Sequence, residues 1–269
     1  MSIDPLQLVP YHADLGSFHV ASVLVTGQKD AVLIDAQFTL ADAHRVVASV
    51  LASRKRLTTV YVSHGDPDYY FGLEVIRAAF PEARIVATPA TVEHIQRTAH
   101  KKLDVWGPRL GSNGSRNVIL PNAQREAIID LEGQSLEIVG FEGDTRDRTY
   151  VWIPSIGAVV GGVAVYGGLH LWTADAASAS MRRAWDRVLE SIEQHDPRTV
   201  VPGHAAPGSP LDASAVRYSR AYLRAFEEEL ARAADGAALI AAMKVRFPEA
   251  GLGVALEIGA KVNKGEMAW

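Results

Sequence analysis

The chain has 269 residues, 48% of them hydrophobic and 22% charged, and a formal net charge of -4. That length suits one large domain or two small ones around a sizeable core, and the composition excludes a disordered chain. Acidic and basic residues are interspersed, so no basic block points to nucleic acid or an anionic membrane. The lack of cysteine excludes disulfides, thiolate metal sites and thiol nucleophiles.

The first residues, MSIDPLQLV, carry no basic region and no long apolar run, so no signal peptide is read there. Phe18 to Thr26 (FHVASVLVT) is apolar and β-branched, and Ala31 to Asp35 (AVLID) is a short buried strand. Leu40 to Ala52 has helical periodicity, with Leu40, Ala43, Val46, Val47, Val50 and Leu51 on one stripe. Thr58 to Val62 is the next strand, and it runs straight into His64. A helix is expected from Tyr70 to Phe80, a strand from Ala83 to Ala87, and a second helix from Thr91 to about Leu103. Strand–helix alternation implies a partly parallel sheet covered by helices. Trp106 to Asn117 reads as a Gly/Ser/Asn-rich loop, the kind that lines sites, and Trp106 is a candidate substrate contact.

From Val118 to Val165 short apolar runs separated by turn residues suggest a meander. A helix follows from Ala176 to Gln194, then a strand from Arg198 to Val201, and helices from Ala213 to Ala234 and around Ala237 to Arg246. The tail from Phe247 to Trp269 offers Leu252, Val254, Leu256, Ile258 and Trp269 to the body or to a partner, a second copy of the chain among them. No apolar stretch is long enough to span a membrane. The expectation is a cytoplasmic protein of one αβ/βα domain, residues 1–269, with a helical extension from about 211.

The chemistry concentrates at strand ends. Ser63-His64-Gly65-Asp66-Pro67-Asp68-Tyr69 leaves a strand and offers an imidazole and two carboxylates at i, i+2 and i+4. Such groups are ordinary ligands of a divalent ion, although Asp-Pro-Asp also occurs in turns and helix caps. Pro67 stiffens the loop, and Gly72 permits close packing of the next helix. Val200-Val201-Pro202-Gly203-His204 repeats the pattern of strand, tight turn and histidine, and Phe141-Glu142-Gly143-Asp144-Thr145 puts another Asp between two strands. Ser63 lacks a nucleophile-elbow context, which disfavours a serine hydrolase. Gly161-Gly162 and Gly167-Gly168 are followed by no helix at nucleotide-cradle spacing.

These segments resemble the metallo-β-lactamase superfamily. VYVSHGDPDYYFG is similar to its first motif, a His-x-His-x-Asp-His loop; GAVVGGVAVYGGLHLW to its bridging-Asp region; and VVPGHAAPG to its last His motif. The resemblance implies two mixed sheets flanked by helices, and hydrolysis by a metal-activated water. The looser likeness is to lactonase- and esterase-like members, which implies an ester, lactone or related acyl substrate. His64, Asp68 and His204 match the family's ligand positions. Asp66 stands where the second His is usual, Tyr69 where the third is usual, Asp144 at the later His and Val163 at the bridging Asp.

The resemblance therefore implies an altered site. The first half keeps three ligands, His64, Asp66 and Asp144; the second keeps Asp68 and His204 but loses Tyr69 and Val163. One divalent ion is expected rather than two, with oxygen-rich ligation suiting Mn or Fe, and zinc also able to take His and carboxylate together. Converging Asp side chains would raise one another's pKa unless a cation lies among them. Asp68 would orient or deprotonate the water, with His204, Tyr69 or Tyr166 stabilising an oxyanion. His170 is a candidate replacement ligand, Asp35 a candidate support from behind the site, and Asp175 either such a support or the cap of the helix after it. His94 and His100, six apart on a helix, are assigned no role. Two other classes compete: a catalytically inactive binding or regulatory protein on the same scaffold, and a mononuclear iron enzyme using oxygen.

Overall fold

In the strands Ala21–Thr26 and Asp30–Ile34 the period of two divides the side chains between two buried layers. Val23, Val25, Val32 and Ile34 join one apolar cluster, whereas Leu24, Ala31 and Leu33 join another. Strands buried on both faces must lie between two covering layers, and the computed structural model, which describes residues 4–141 and 148–269, shows them. In chain order the elements are β1 (Gln7–His12), β2 (Ala21–Thr26), β3 (Asp30–Ile34), α1 (Leu40–Ser53), β4 (Arg56–Val62), α2 (Pro67–Tyr70), α3 (Leu73–Ala79), β5 (Arg84–Ala87) and α4 (Pro89–Leu110). Then come β6 (Asn122–Ala123), β7 (Ile128–Leu131), β8 (Gln134–Val139), β9 (Tyr150–Ile153), β10 (Ala158–Val160), β11 (Tyr166–Gly167) and α5 (Ala179–Gln194). Last are β12 (Thr199–Val200), β13 (His204–Ala205), α6 (Ser214–Arg232), α7 (Gly236–Arg246) and α8 (Gly253–Asn263).

Among the described residues, the first sheet runs in sequence order from β1 to β6, and the second in the order β12-β10-β9-β8-β7. The β1–β2–β3 pairs are antiparallel and β3 to β6 parallel; β10 pairs parallel with β12 and antiparallel with β9. Between the sheets lies one cluster (Val23, Ile34, Tyr61, Leu136, Val151, Val160), while the outer faces pack on helices through Val46, Val50, Ile76 and Trp185. This is an αβ/βα sandwich of two mixed sheets. No helix among the described residues is long and apolar enough to cross a membrane.

Several boundaries differ from the sequence reading, each for a local reason. Phe18 and His19 have φ of 56° and 55°, so the strand expected from Phe18 starts at Ala21, and the unexpected β1 pairs with it. The loop expected over Trp106–Asn117 is half helix. Thr88 caps α4 by accepting from Thr91 N, Pro89 occupies its first turn, and the helix runs past Trp106 and through Pro108 to Leu110. α5 begins at Ala179 behind a Ser178 cap; Thr173–Ala176 is a separate 3-10 turn, so Asp175 is not the cap.

The tail docks on the body. Gly259 of α8 meets that 3-10 turn so closely that a Cβ would lie 2.2 Å from Thr173 Oγ1. Asn263 Nδ2 donates to Thr173 O at 3.1 Å, and the buried Arg182 binds Glu227, Asn263 and Ala176 O, joining α5, α6 and α8. The far side of the first sheet has a comparable hub. Asp42 accepts from Tyr11 Oη, Ser17 Oγ, Thr39 Oγ1 and Arg45 at 2.6–2.8 Å. Burial opposes its charge, but the bonds from Thr39, Tyr11 and Ser17 and the Arg45 charge outweigh this and hold its pKa below the usual range.

Replacing Asp42 by Asn should therefore destabilise the fold by about 1–3 kcal/mol at neutral pH. Because the folded pKa is depressed, the wild-type advantage is present above the unfolded value and lost as pH falls through the folded one. Urea denaturation of both proteins at pH 7 and in acid checks this; an equal difference at both pH values would contradict it.

Candidate active site

The site rests on a buried carboxyl. Asp35 follows β3 with φ of 63°, a left-handed conformation that Asp tolerates better than most residues. It accepts from Ser63 N at 2.7 Å and from Ser63 Oγ at 2.6 Å. Ser63 Oγ in turn accepts from Gly162 N at 2.8 Å, and Thr149 Oγ1 donates to Ser63 O at 2.8 Å. Gly162 has φ of 79°, and a Cβ there would stand 2.0 Å from Thr149 O. The knot thus ties the ends of β3 and β4 to the second sheet and fixes where His64 leaves β4. Burial pushes the Asp35 pKa up to about 7, against the bonds from Ser63.

His64 and Asp66 form a first pair, with His64 Nε2 3.1 Å from Asp66 Oδ2. Asp66 stands at the cap position of α2 but makes no capping bond, so its carboxylate is left for the site. Its Oδ1 accepts from Lys102 Nζ of α4, which also donates to Gly65 O at 2.9 Å and to His94 Nε2 at 3.2 Å. Burial works against the Asp66 charge, but His64 and Lys102 prevail and hold its pKa far below the carboxylate range. Burial likewise lowers His64, and Asp66 reverses this to a net rise. Burial, then the Lys102 charge, lowers His94 to about 4, leaving its ring neutral to accept from the ammonium. Gly65 makes the approach of His94 feasible, since a Cβ would be 2.7 Å from His94 Cδ2.

Asp68 and His204 form a second pair on the other side of Tyr69. His204 Nδ1 donates to Phe18 O at 2.9 Å, so its Nε2 accepts from Tyr69 Oη at 3.0 Å; Asp68 Oδ2 lies 3.5 Å from the same nitrogen. The Tyr69 ring stands 5.2 Å from the His64 ring and 5.9 Å from that of His204, and Tyr166 stacks on His204 at 4.9 Å. Burial, helped by the Asp66 charge, raises Asp68 to about 7, and burial lowers His204 to about 4.

The two pairs differ in access. His64 and Asp66 line a cavity of about 610 Å³ with His94, Arg148, Asp175 and Trp269, whereas Asp68, Tyr69 and His204 do not line it. Tyr69 is 1% exposed and Tyr166 fully buried, and together they cover His204, while Asp68 keeps about the exposure of His64 (8% against 7%). Asp175, on the 3-10 turn held by α8, accepts from Trp269 Nε1; burial and then the Asp66 charge raise it to about 6.

Other expected residues are placed as follows. Asp144 lies outside the described residues. Val163 is buried in the apolar core, so the bridge position holds no donor. His170 is turned away from the cavity against Tyr222 Oη at 3.0 Å, and burial lowers it to about 4. Trp106 does not line the cavity; it packs edge-on against Phe18 and Phe38 at 5.5 and 5.3 Å because α4 is longer than expected. The sequence reading passed over Lys102, Arg148 and His94. His94 and Lys102 sit two turns apart on α4, a spacing that could have drawn attention to them.

Residues 15–204 match the family model of the metallo-beta-lactamase superfamily, and the chain belongs to that superfamily. Solved structures agree on the fold. A metallo-beta-lactamase from Pontibacter korlensis is 18% identical with a TM-score of 0.58, covering 83% of this chain and 97% of its own. A metallo-beta-lactamase family protein from Thermus thermophilus is 16% identical with a TM-score of 0.65, covering 97% and 92%. The DIM-1 metallo-beta-lactamase is 16% identical with a TM-score of 0.56, covering 83% and 99%. Comparison with curated proteins gives no match. The scaffold is thus of the hydrolase type whose members typically bind divalent metals.

The raised pKa of Asp35 has a consequence for stability. A carboxyl whose folded pKa lies above its unfolded value favours the fold at low pH, and stability declines as pH rises from about 4 toward about 7. Asp35→Asn should flatten that part of the pH–stability curve, while costing about 1–3 kcal/mol at pH 5 through its mismatch with the Ser63 donors. Denaturation midpoints across this range provide the check; an unchanged slope would exclude Asp35 as its source.

Proposed function

We propose that this chain is a metal-dependent hydrolase of a small ester, lactone or related acyl compound, working with one divalent ion at the first position only. The observation that carries the reading is the asymmetry of the two pairs: His64 and Asp66 line the cavity, while Tyr69 takes up the second ring nitrogen of His204 in the other pair.

The donor chemistry at the first position fits an ion. Two ligands at about 2.0–2.1 Å from a tetrahedral centre stand roughly 3.3 Å apart, close to the 3.1 Å between His64 Nε2 and Asp66 Oδ2. Lys102 on the other Asp66 oxygen is the kind of outer partner that holds a ligating carboxylate in place. Asp144 is the proposed third donor, since the described residues alone assemble no group of three His, Asp or Glu suited to a metal. The second position fits poorly, because Tyr69 takes His204 Nε2 and Val163 offers nothing. Zn, Mn and Fe all suit one imidazole and two carboxylates.

His64, Asp66 and Asp144 would hold the ion, whose chemistry there would be to lower the pKa of a bound water toward neutral. The chain's own groups do the rest. Lys102 keeps Asp66 ionised, and Asp175, in the same cavity with its pKa near 6, accepts a proton from the attacking water. This moves the base expected at Asp68 to Asp175, because Asp68 faces His204 behind Tyr69. Tyr69, His204 and Tyr166, sealed from the cavity, position the His64 ring rather than meet an oxyanion.

Lys102 also favours a second reading, a binding protein in which its ammonium stands permanently where an ion would be. Elemental analysis of protein purified without chelator, titration with Zn, Mn and Fe, and a panel of aryl esters and lactones separate the two. One equivalent of metal with hydrolysis is expected, and both are lost in Asp66→Ala. Lys102→Met should weaken metal binding by about 10–100-fold; a gain of metal binding in that variant would instead establish the second reading. Iron with oxygen-dependent turnover would mark an oxygen-using enzyme.

A further inference from the structure

Arg148 is a cavity cation whose charge acts on Asp175 but which no carboxylate among the described residues pairs directly. It is 6% exposed and lines the cavity beside His64, Asp66 and Asp175. Its guanidinium lies over the Trp185 ring, 4.2 Å from the centroid. Beyond that stacking it makes no hydrogen bond or ion pair among the described residues. The neighbouring carboxylates are engaged elsewhere: Asp66 by His64 and Lys102, Asp175 by Trp269. None of its nitrogens is among the buried atoms left without a partner, so the donor fork opens on the cavity, where water or a ligand completes it.

We propose that Arg148 binds the carboxylate of the substrate, so that the compound hydrolysed is an acyl derivative bearing a free carboxylate and an apolar arm. This rests on reading the cavity as the substrate site. The planar fork matches a carboxylate in bidentate fashion. Phosphate offers similar oxygens but is disfavoured, since a dianion would face Asp66 and Asp175 with a single unpaired cation to balance it. Stacking on Trp185 fixes the guanidinium plane, making Arg148 selective for orientation as well as charge. The apolar arm has its wall in Met181, Val262, Met267 and Trp269 on the same cavity.

Calorimetric titration of the whole protein with hexanoate, hexanamide and hexyl phosphate tests this without any turnover. Hexanoate should bind at least about tenfold more tightly than hexanamide, the margin of one charge-assisted bond pair. Arg148→Gln should erase that preference, and Arg148→Lys should keep only part of it. Equal binding of acid and amide by the wild-type protein would overturn the proposal, and that comparison stands even if a variant fails to fold. Acid preference surviving in a folded Arg148→Gln protein would also overturn it, and tighter binding of hexyl phosphate would overturn the choice of carboxylate. Metal content read on the same samples separates the outcomes: carboxylate selectivity without metal sinks the hydrolase, and metal without selectivity sinks only the role of Arg148.

Discussion

The arrangement depends on a carboxyl held in the interior by one serine. Asp35 takes both donors of Ser63, and Ser63 hands its remaining capacity to Gly162 and Thr149 of the other sheet. Each group is buried, so each bond replaces water that is no longer available, and loss of any one strands a partner. The knot fixes the position of β4 relative to the second sheet, and with it the departure of His64 toward the cavity. Gly162 is required twice over, by its φ of 79° and by the backbone that would otherwise collide with a Cβ. His204 arrives from the opposite side under a similar constraint, since a Cβ on Gly203 would stand 2.0 Å from Gly162 O. The His204 loop therefore meets the Gly162 turn, which is itself bonded to Ser63, at a glycine-on-glycine contact.

Crowded carboxylates set the second constraint. Asp66, Asp68 and Asp175 influence one another, and the protein resolves the conflict unequally. Asp66 keeps its charge because a protein cation lies against it, whereas Asp68 and Asp175 are raised toward neutrality by burial first and by the Asp66 charge second. The site thus carries one firmly ionised carboxylate and two that hold protons readily. Such separation of otherwise similar groups is what acid–base work requires.

What could be read from the sequence follows the distance over which each feature is encoded. The strand that runs into His64 and the Pro-Gly-His turn are contiguous, and strand periodicity with turn residues exposed them. The two-layer sandwich was legible for the same reason. Lys102 meets Asp66 from 36 residues away, a pairing that no local pattern on its helix encodes. Arg148 lies just before β9, where nothing local distinguishes it from any solvated arginine. His94 reaches the cavity only because Gly65 leaves room, a fact about packing rather than pattern. Asp175 looked like a helix cap because Ser178, which fills that role, is only three residues further on.

Tyr69 gives the local change its reach. A histidine at that position would leave the Asp68–His204 pair facing shared space with His64. The tyrosine ring instead occupies that space, and its hydroxyl satisfies His204 Nε2, the tautomer being fixed by Phe18 O. Val163, where a bridging donor was expected, lies in the apolar core, and Tyr166 stacks on His204. The cavity opens on the His64 side, where the tail through Met267 and Trp269 forms part of its wall. Neighbours at 16–18% identity share the sandwich, but the cavity wall here includes residues after 204, beyond the matched family region. A β-lactam is therefore no more implied for this chain than any other acyl compound that fits Arg148 and that wall.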